Sequence, residues 1–91
     1  MSTVDDYVSR IDGTCGREKD VVVTFKFEKR DEAVKRILER ATLKKSLAGI
    51  VFELAYGEYS FRLYSSGKAI FRGLENKEEL TALLSELLLR R

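Results

Sequence analysis

Phe61-Arg62-Leu63-Tyr64-Ser65-Ser66-Gly67-Lys68-Ala69-Ile70-Phe71-Arg72-Gly73 is the stretch that decides the fold. Phe61-Arg62-Leu63-Tyr64 precedes Ser65-Ser66-Gly67, a turn-forming triplet, and the short apolar run Ala69-Ile70-Phe71 follows it, so the stretch reads as a β-hairpin. Successive side chains of a strand point to opposite faces. Phe61, Leu63, Ala69 and Phe71 therefore share one face, and Arg62, Tyr64, Ile70 and Arg72 share the other. The first set has to be covered by other parts of the chain.

The neighbouring segments supply the cover. Gly49–Ala55 reads as a strand, joined through Tyr56-Gly57-Glu58 to Tyr59–Tyr64. Ile50, Phe52 and Leu54 are expected inside, with Val51 and Glu53 outside. Val21–Glu28 is a further strand, with Val23, Phe25 and Phe27 alternating against Thr24, Lys26 and Glu28. Arg30–Ala41 is a helix whose stripe is Ala33, Val34, Ile37, Leu38 and Ala41. Asp31 and Glu32 in its first turn and Arg40 in its last suit the helix dipole. Thr42–Leu47 reads as a basic connector. After Gly73, Asn76 with Glu79 three residues on is a variant capping box. It opens a helix with the stripe Leu80, Leu83, Leu84, Leu87 and Leu88, and Arg90 and Arg91 suit its end.

The expected architecture is α+β: a four-stranded antiparallel sheet with two helices on one face, in the order β-α-β-β-β-α, over residues 21–91. Residues 1–20 have weak periodicity. They read as a mobile arm or a short extra element, with one amphipathic turn through Tyr7, Val8 and Ile11.

Two helices on one face leave the other open. Val22, Thr24 and Lys26 fall on that open side with Arg62, Tyr64, Ile70 and Arg72. Apolar, aromatic and cationic groups interleave there. Such a mixture suits nucleic acid, where cations hold phosphate and rings or aliphatic wedges meet bases. It also suits a protein partner, for which tyrosine and arginine are favoured anchors. An ordinary solvated sheet face carries a few apolar residues as well.

Composition narrows the chemistry. Ninety-one residues make one domain with a thin stability margin. The chain has no histidine, which removes the usual general base near neutral pH and the commonest metal ligand. Cys15 is the only cysteine, so neither an internal disulfide nor a cysteine zinc cluster is available. Gly67-Lys68 lacks the earlier glycine and the following Ser or Thr of a phosphate-binding loop. Gly13-Thr14-Cys15-Gly16 lacks a motif context, and Asp5, Asp6 and Asp12 have no spacing for metal or acid–base work. No enzyme activity, cofactor or metal is expected. No apolar run is long enough to span a bilayer, and Met1–Arg10 has no signal-peptide pattern, so a cytoplasmic location is expected. Abundant Lys, Arg and Glu fit a thermophile surface with ion-pair networks. Net charge is +2, divided as −2 over residues 1–20 and +4 over the remainder. That balance is mildly basic.

The hairpin resembles the corresponding stretch of a TATA-box-binding-protein repeat. The run Leu63-Tyr64-Ser65-Ser66-Gly67-Lys68-Ala69-Ile70-Phe71-Arg72-Gly73 is similar to the family's pattern of an apolar pair, an aromatic, a small residue, Ser-Gly-Lys, alternating apolar residues and a glycine. Lys45-Ser46-Leu47-Ala48-Gly49-Ile50-Val51 and Val22-Val23-Thr24 are similar to stretches upstream. The resemblance covers most of residues 20–91 and implies a half-saddle fold. In that family two repeats form a saddle whose underside lies on the minor groove, and two phenylalanines per repeat wedge between base steps. Carried over, the wedges fall on Tyr64 and Leu47, while Val22, Thr24 and Ile70 keep a groove-facing character. Arg72 stands for a threonine, Arg62 for an apolar residue and Asp20 for an asparagine. A carboxylate cannot donate to the acceptors of A·T pairs, so TATA-type readout is not implied.

The resemblance implies nucleic-acid binding, to DNA or RNA, through Val22, Thr24, Lys26, Leu47, Arg62, Tyr64, Ile70 and Arg72. One repeat is half a saddle, so a homodimer or a related second subunit is implied, with the first strand as the pairing edge. Similar half-saddles occur as the N-terminal domain of type-three ribonuclease H. More loosely, they resemble the small dimerising subunits of the KEOPS tRNA-modifying complex, which supply the alternative of a protein-assembly subunit.

Overall fold

The computed structural model describes residues 4–13 and 19–89. Its elements are α1 (Val4–Tyr7), β1 (Val8–Gly13), β2 (Asp20–Phe25), a 3-10 turn (Phe27–Lys29), α2 (Arg30–Arg40), β3 (Thr42–Leu47), β4 (Val51–Tyr56), β5 (Tyr59–Tyr64), β6 (Lys68–Arg72) and α3 (Lys77–Leu88). The strands form one antiparallel sheet in the order β1-β2-β6-β5-β4-β3. The domain is α+β as expected, but with six strands and three helices in place of four and two.

The hairpin is where alternation placed it. Phe61 pairs with Phe71 and Leu63 with Ala69, and all four are buried. The two phenyl rings lie 4.8 Å apart. Gly67 carries the turn at φ 104°, and a Cβ there would sit 3.0 Å from the Arg30 Cβ, so only glycine lets α2 approach this closely. Leu54, Val21, Val23 and Phe25 continue the same buried face, against Ala33, Ile37, Leu80, Leu83, Leu84, Leu87 and Leu88 from the helices.

Both missing strands are edge strands with broken alternation. In β3 the register shifts between Leu43 and Lys45, and a bulge spoils the period-2 pattern that marks a strand. Thr42–Leu47 therefore looks like a basic connector when read in one dimension. The same happens in β1, where the register shifts between Val8 and Arg10. Of the two readings for residues 1–20, a mobile arm or an extra element, residues 4–13 form the second: a helical turn and a paired strand. Cys15 and most of the segment that joins β1 to β2 lie outside the described residues, as do Arg90 and Arg91.

Two strand boundaries also move. β2 stops at Phe25 because its ladder ends there. The Phe25 N–H donates to the Gly67 carbonyl (2.8 Å) and the Lys26 N–H to the Tyr7 carbonyl (2.7 Å), after which the chain turns. Phe27, expected inside, is 76% exposed, with the Arg30 guanidinium 4.4 Å from its ring centroid. Ile50, also expected inside, is exposed in the β3–β4 turn. That turn places Ala48 at φ 56° and Gly49 at φ 69°, both in the left-handed region. Ala48 bears the strain of a side chain in the left-handed region. Ala48→Gly is therefore expected to stabilise the domain by about 1 kcal/mol, read as a raised urea midpoint.

The helix ends account for the polar contacts. Asn76 caps α3, its side-chain oxygen accepting from the Glu79 N–H (2.8 Å), while the Glu79 carboxylate accepts from the Glu75 N–H (3.4 Å). At the other end Arg36 donates to the Leu88 carbonyl (3.0 Å) and Arg40 to the Glu86 carbonyl (3.5 Å). These α2 cations satisfy carbonyls that α3's own last turn has no basic residue to meet.

Two phenols are held above their ordinary pKa. For Tyr7 the main cause is burial, followed by the Glu32 carboxylate; for Tyr59 it is the Glu79 carboxylate, followed by burial. A raised folded-state pKa means stability that is complete below the unfolded value and lost as pH rises through the folded one. Alkaline titration should find two tyrosines ionising above about pH 10, with stability falling over that range. Tyr7→Phe should remove part of the fall.

Candidate ligand-binding face

The face away from the helices spans all six strands, and its residues line up in two cross-strand rows. One row runs Leu47, Val51, Tyr64, Lys68, Thr24 and Arg10. The other runs Lys45, Glu53, Arg62, Ile70, Val22 and Asp12. The rows follow from antiparallel register, which sets residues directly opposite one another on the same face. Beyond the second row, Arg72 lies opposite Asp20.

Val22, Thr24, Arg62, Tyr64, Ile70 and Arg72 thus share one face, in the orientation alternation assigned. Leu47 joins them from β3. Both positions carried over as wedges, Leu47 and Tyr64, fall in one row with Val51 between them, two strand spacings or about 10 Å apart. Lys26 is the exception, because β2 ends at Phe25 and Lys26 lies beyond the ladder. Lys45, Lys68, Arg10 and Asp12 belong to the face without having been singled out. Lys45, Arg10 and Asp12 were hidden because bulges break the alternation of their strands. Lys68 could have been found, since it begins the strand that holds Ile70.

Carboxylates lie beside the arginines. Arg62 reaches Glu53 at 3.7 Å, Arg72 reaches Asp20 at 3.5 Å and Arg10 reaches Asp12 at 2.7 Å. Arg62 and Arg72 are 60% and 68% exposed, so each pair holds together by only about 0–1 kcal/mol. Such pairs exchange partners readily. Lys44, Lys45 and Lys68 have no ion pair among the described residues. A groove of about 600 Å³ crosses this face, lined among others by Lys44, Glu53, Arg62, Ile70, Arg72 and Asp20.

The expected dimer edge is not open. β2 pairs with β6 on one side and β1 on the other, so the strand thought to offer a free edge sits inside the sheet. Among the described residues, the free edges are the outer sides of β1 and β3. Among the described residues no group of three or more His, Cys, Asp or Glu side chains is placed to hold a metal ion, and no helix is long and apolar enough to cross a membrane. No protein-family model, curated protein or solved structure matches the chain.

Proposed function

We propose that the chain is a non-enzymatic binding module that holds nucleic acid, DNA or RNA, on the helix-free face of its sheet. The observation that carries this reading is the pair of cross-strand rows. They bring exposed cations (Lys45, Arg62, Lys68, Arg10) onto one surface with an aromatic ring and aliphatic groups (Tyr64, Leu47, Val51, Ile70). Cations placed between stacking or wedging groups serve the two needs of a nucleic-acid ligand, phosphate neutralisation and contact with bases. The half-saddle resemblance supports the same face, because both wedge positions lie on it in one row. A second copy or a related subunit completes the saddle. With β2 already paired, the joining edge is the outer side of β1.

The ion pairs favour a second reading. Arg62–Glu53 and Arg72–Asp20 put negative charge where phosphate would lie, and an alternating charge pattern also fits an assembly subunit that binds protein on this face. Affinity for pooled single- and double-stranded DNA and RNA, measured at about 50 and 200 mM salt, separates the two. Nucleic-acid binding should weaken steeply between those concentrations. A salt-tolerant protein complex with no affinity for the pool would establish the second reading.

A further inference from the structure

The free edge of β3 carries features that the helix-free face does not account for. Every residue from Thr42 to Leu47 is exposed, and among the described residues β3 is hydrogen-bonded only to β4. Its outer side therefore presents unpaired backbone donors and acceptors. Four large hydrophobic residues are exposed among the described residues, and three of them, Leu43, Leu47 and Ile50, lie on this strand or on the turn that ends it. Ile50 follows directly on the two left-handed residues of that turn, Ala48 and Gly49.

The lysines decide what can pair there. Lys45 lies opposite Glu53 on the helix-free side, and the bulge brings Lys44 to the groove on that same side. If two copies paired antiparallel through this edge about a two-fold axis centred on the bulge, Lys44 would face Lys45, or one lysine would face itself. Like charges directly opposite destabilise a ladder. Leu43 lies opposite the buried Leu54, on the helix side. The occupant that satisfies both faces alternates acidic residues, set against Lys44 and Lys45, with apolar residues set beside Leu43.

We propose that the β3 edge docks an extended segment of a partner protein whose residues alternate acidic and apolar, added to the sheet as a seventh strand. Backbone hydrogen bonds hold the segment, and the lysine pair selects its charge and disfavours a second copy of the chain paired about the bulge. This edge adjoins the rows proposed to hold nucleic acid and shares Lys45 and Leu47 with them.

The test uses the full chain and an eight-residue peptide of alternating glutamate and valine, with a lysine–valine peptide as control. The glutamate peptide should shift and protect the outward amides of Thr42–Leu47 in NMR exchange spectra, and the control should not. Lys44→Glu with Lys45→Glu should weaken the glutamate peptide at least tenfold and allow the lysine peptide to bind. The proposal is overturned by equal response to both peptides, by shifts confined to Thr24, Arg62 and Tyr64, by no protection at millimolar peptide, or by sedimentation showing self-association that the double variant abolishes. Each readout is independent of whether the chain binds nucleic acid.

Discussion

Replacing Arg62 and Arg72 together by alanine is expected to weaken nucleic-acid binding tenfold or more and to flatten its salt dependence. Each guanidinium is exposed and lines the groove. Loss of two phosphate contacts to a duplex should reduce the slope of log affinity against log salt by about 2. The fold should survive, since exposed ion pairs contribute little. The neighbouring carboxylates give a test of opposite sign. Glu53→Gln with Asp20→Asn releases both arginines and removes negative charge from the path of phosphate, so binding should tighten and its salt slope should steepen. If the face instead binds protein through these charge pairs, the carboxylate variants should weaken the complex as the arginine variants do. Unchanged affinity in the arginine double variant would remove the nucleic-acid reading altogether.

Tyr7→Ala is expected to be among the most damaging single substitutions outside the central hairpin. Tyr7 is 3% exposed and belongs to the core, with the Lys29 ammonium 5.7 Å and the Arg36 guanidinium 5.9 Å from its ring centroid. Truncating a buried aromatic side chain costs about 3–5 kcal/mol. A small domain has little more than that to lose. Tyr7 also precedes β1 directly, so its loss should release the strand from β2. Hydrogen exchange should show the amides of residues 8–13 opening first, and the uncovered β2 edge should make association concentration-dependent. Tyr7→Phe should keep the packing and the strand. A urea midpoint unmoved by Tyr7→Ala would mean that residues 4–13 add nothing to the fold.

Legibility followed periodicity. Wherever a segment had a recognisable period, its structure was readable: the hairpin 61–73, the stripe of α2, with Ala33, Ile37 and Ala41 buried and Val34 and Leu38 partly so, and the five buried leucines of α3. The cap at Asn76 was readable too, because it depends on two residues three apart. Four of the expected site residues, Arg62, Tyr64, Ile70 and Arg72, lie in the hairpin and needed nothing further. Val22 and Thr24 followed from the same alternation in β2. Lys26 did not, because alternation continues through Phe27 although the ladder has ended.

The remaining features depend on partners distant in sequence. A bulge in β3 and another in β1 conceal two strands from any reading of alternation, since the extra residue is tolerated only because a neighbouring strand holds the rest in register. The pairing of β1 with β2 turned an expected open edge into the sheet interior. The pairing of Arg62 with Glu53 and of Arg72 with Asp20 made a cationic face one of mixed charge. Amino-acid order alone therefore established the α+β class, the buried faces and the orientation of the hairpin side chains, because local alternation and helical spacing are enough for those. The width of the sheet, its free edges and the charge balance of the open face were decided by long-range register, which sets residues opposite one another whatever their distance along the chain.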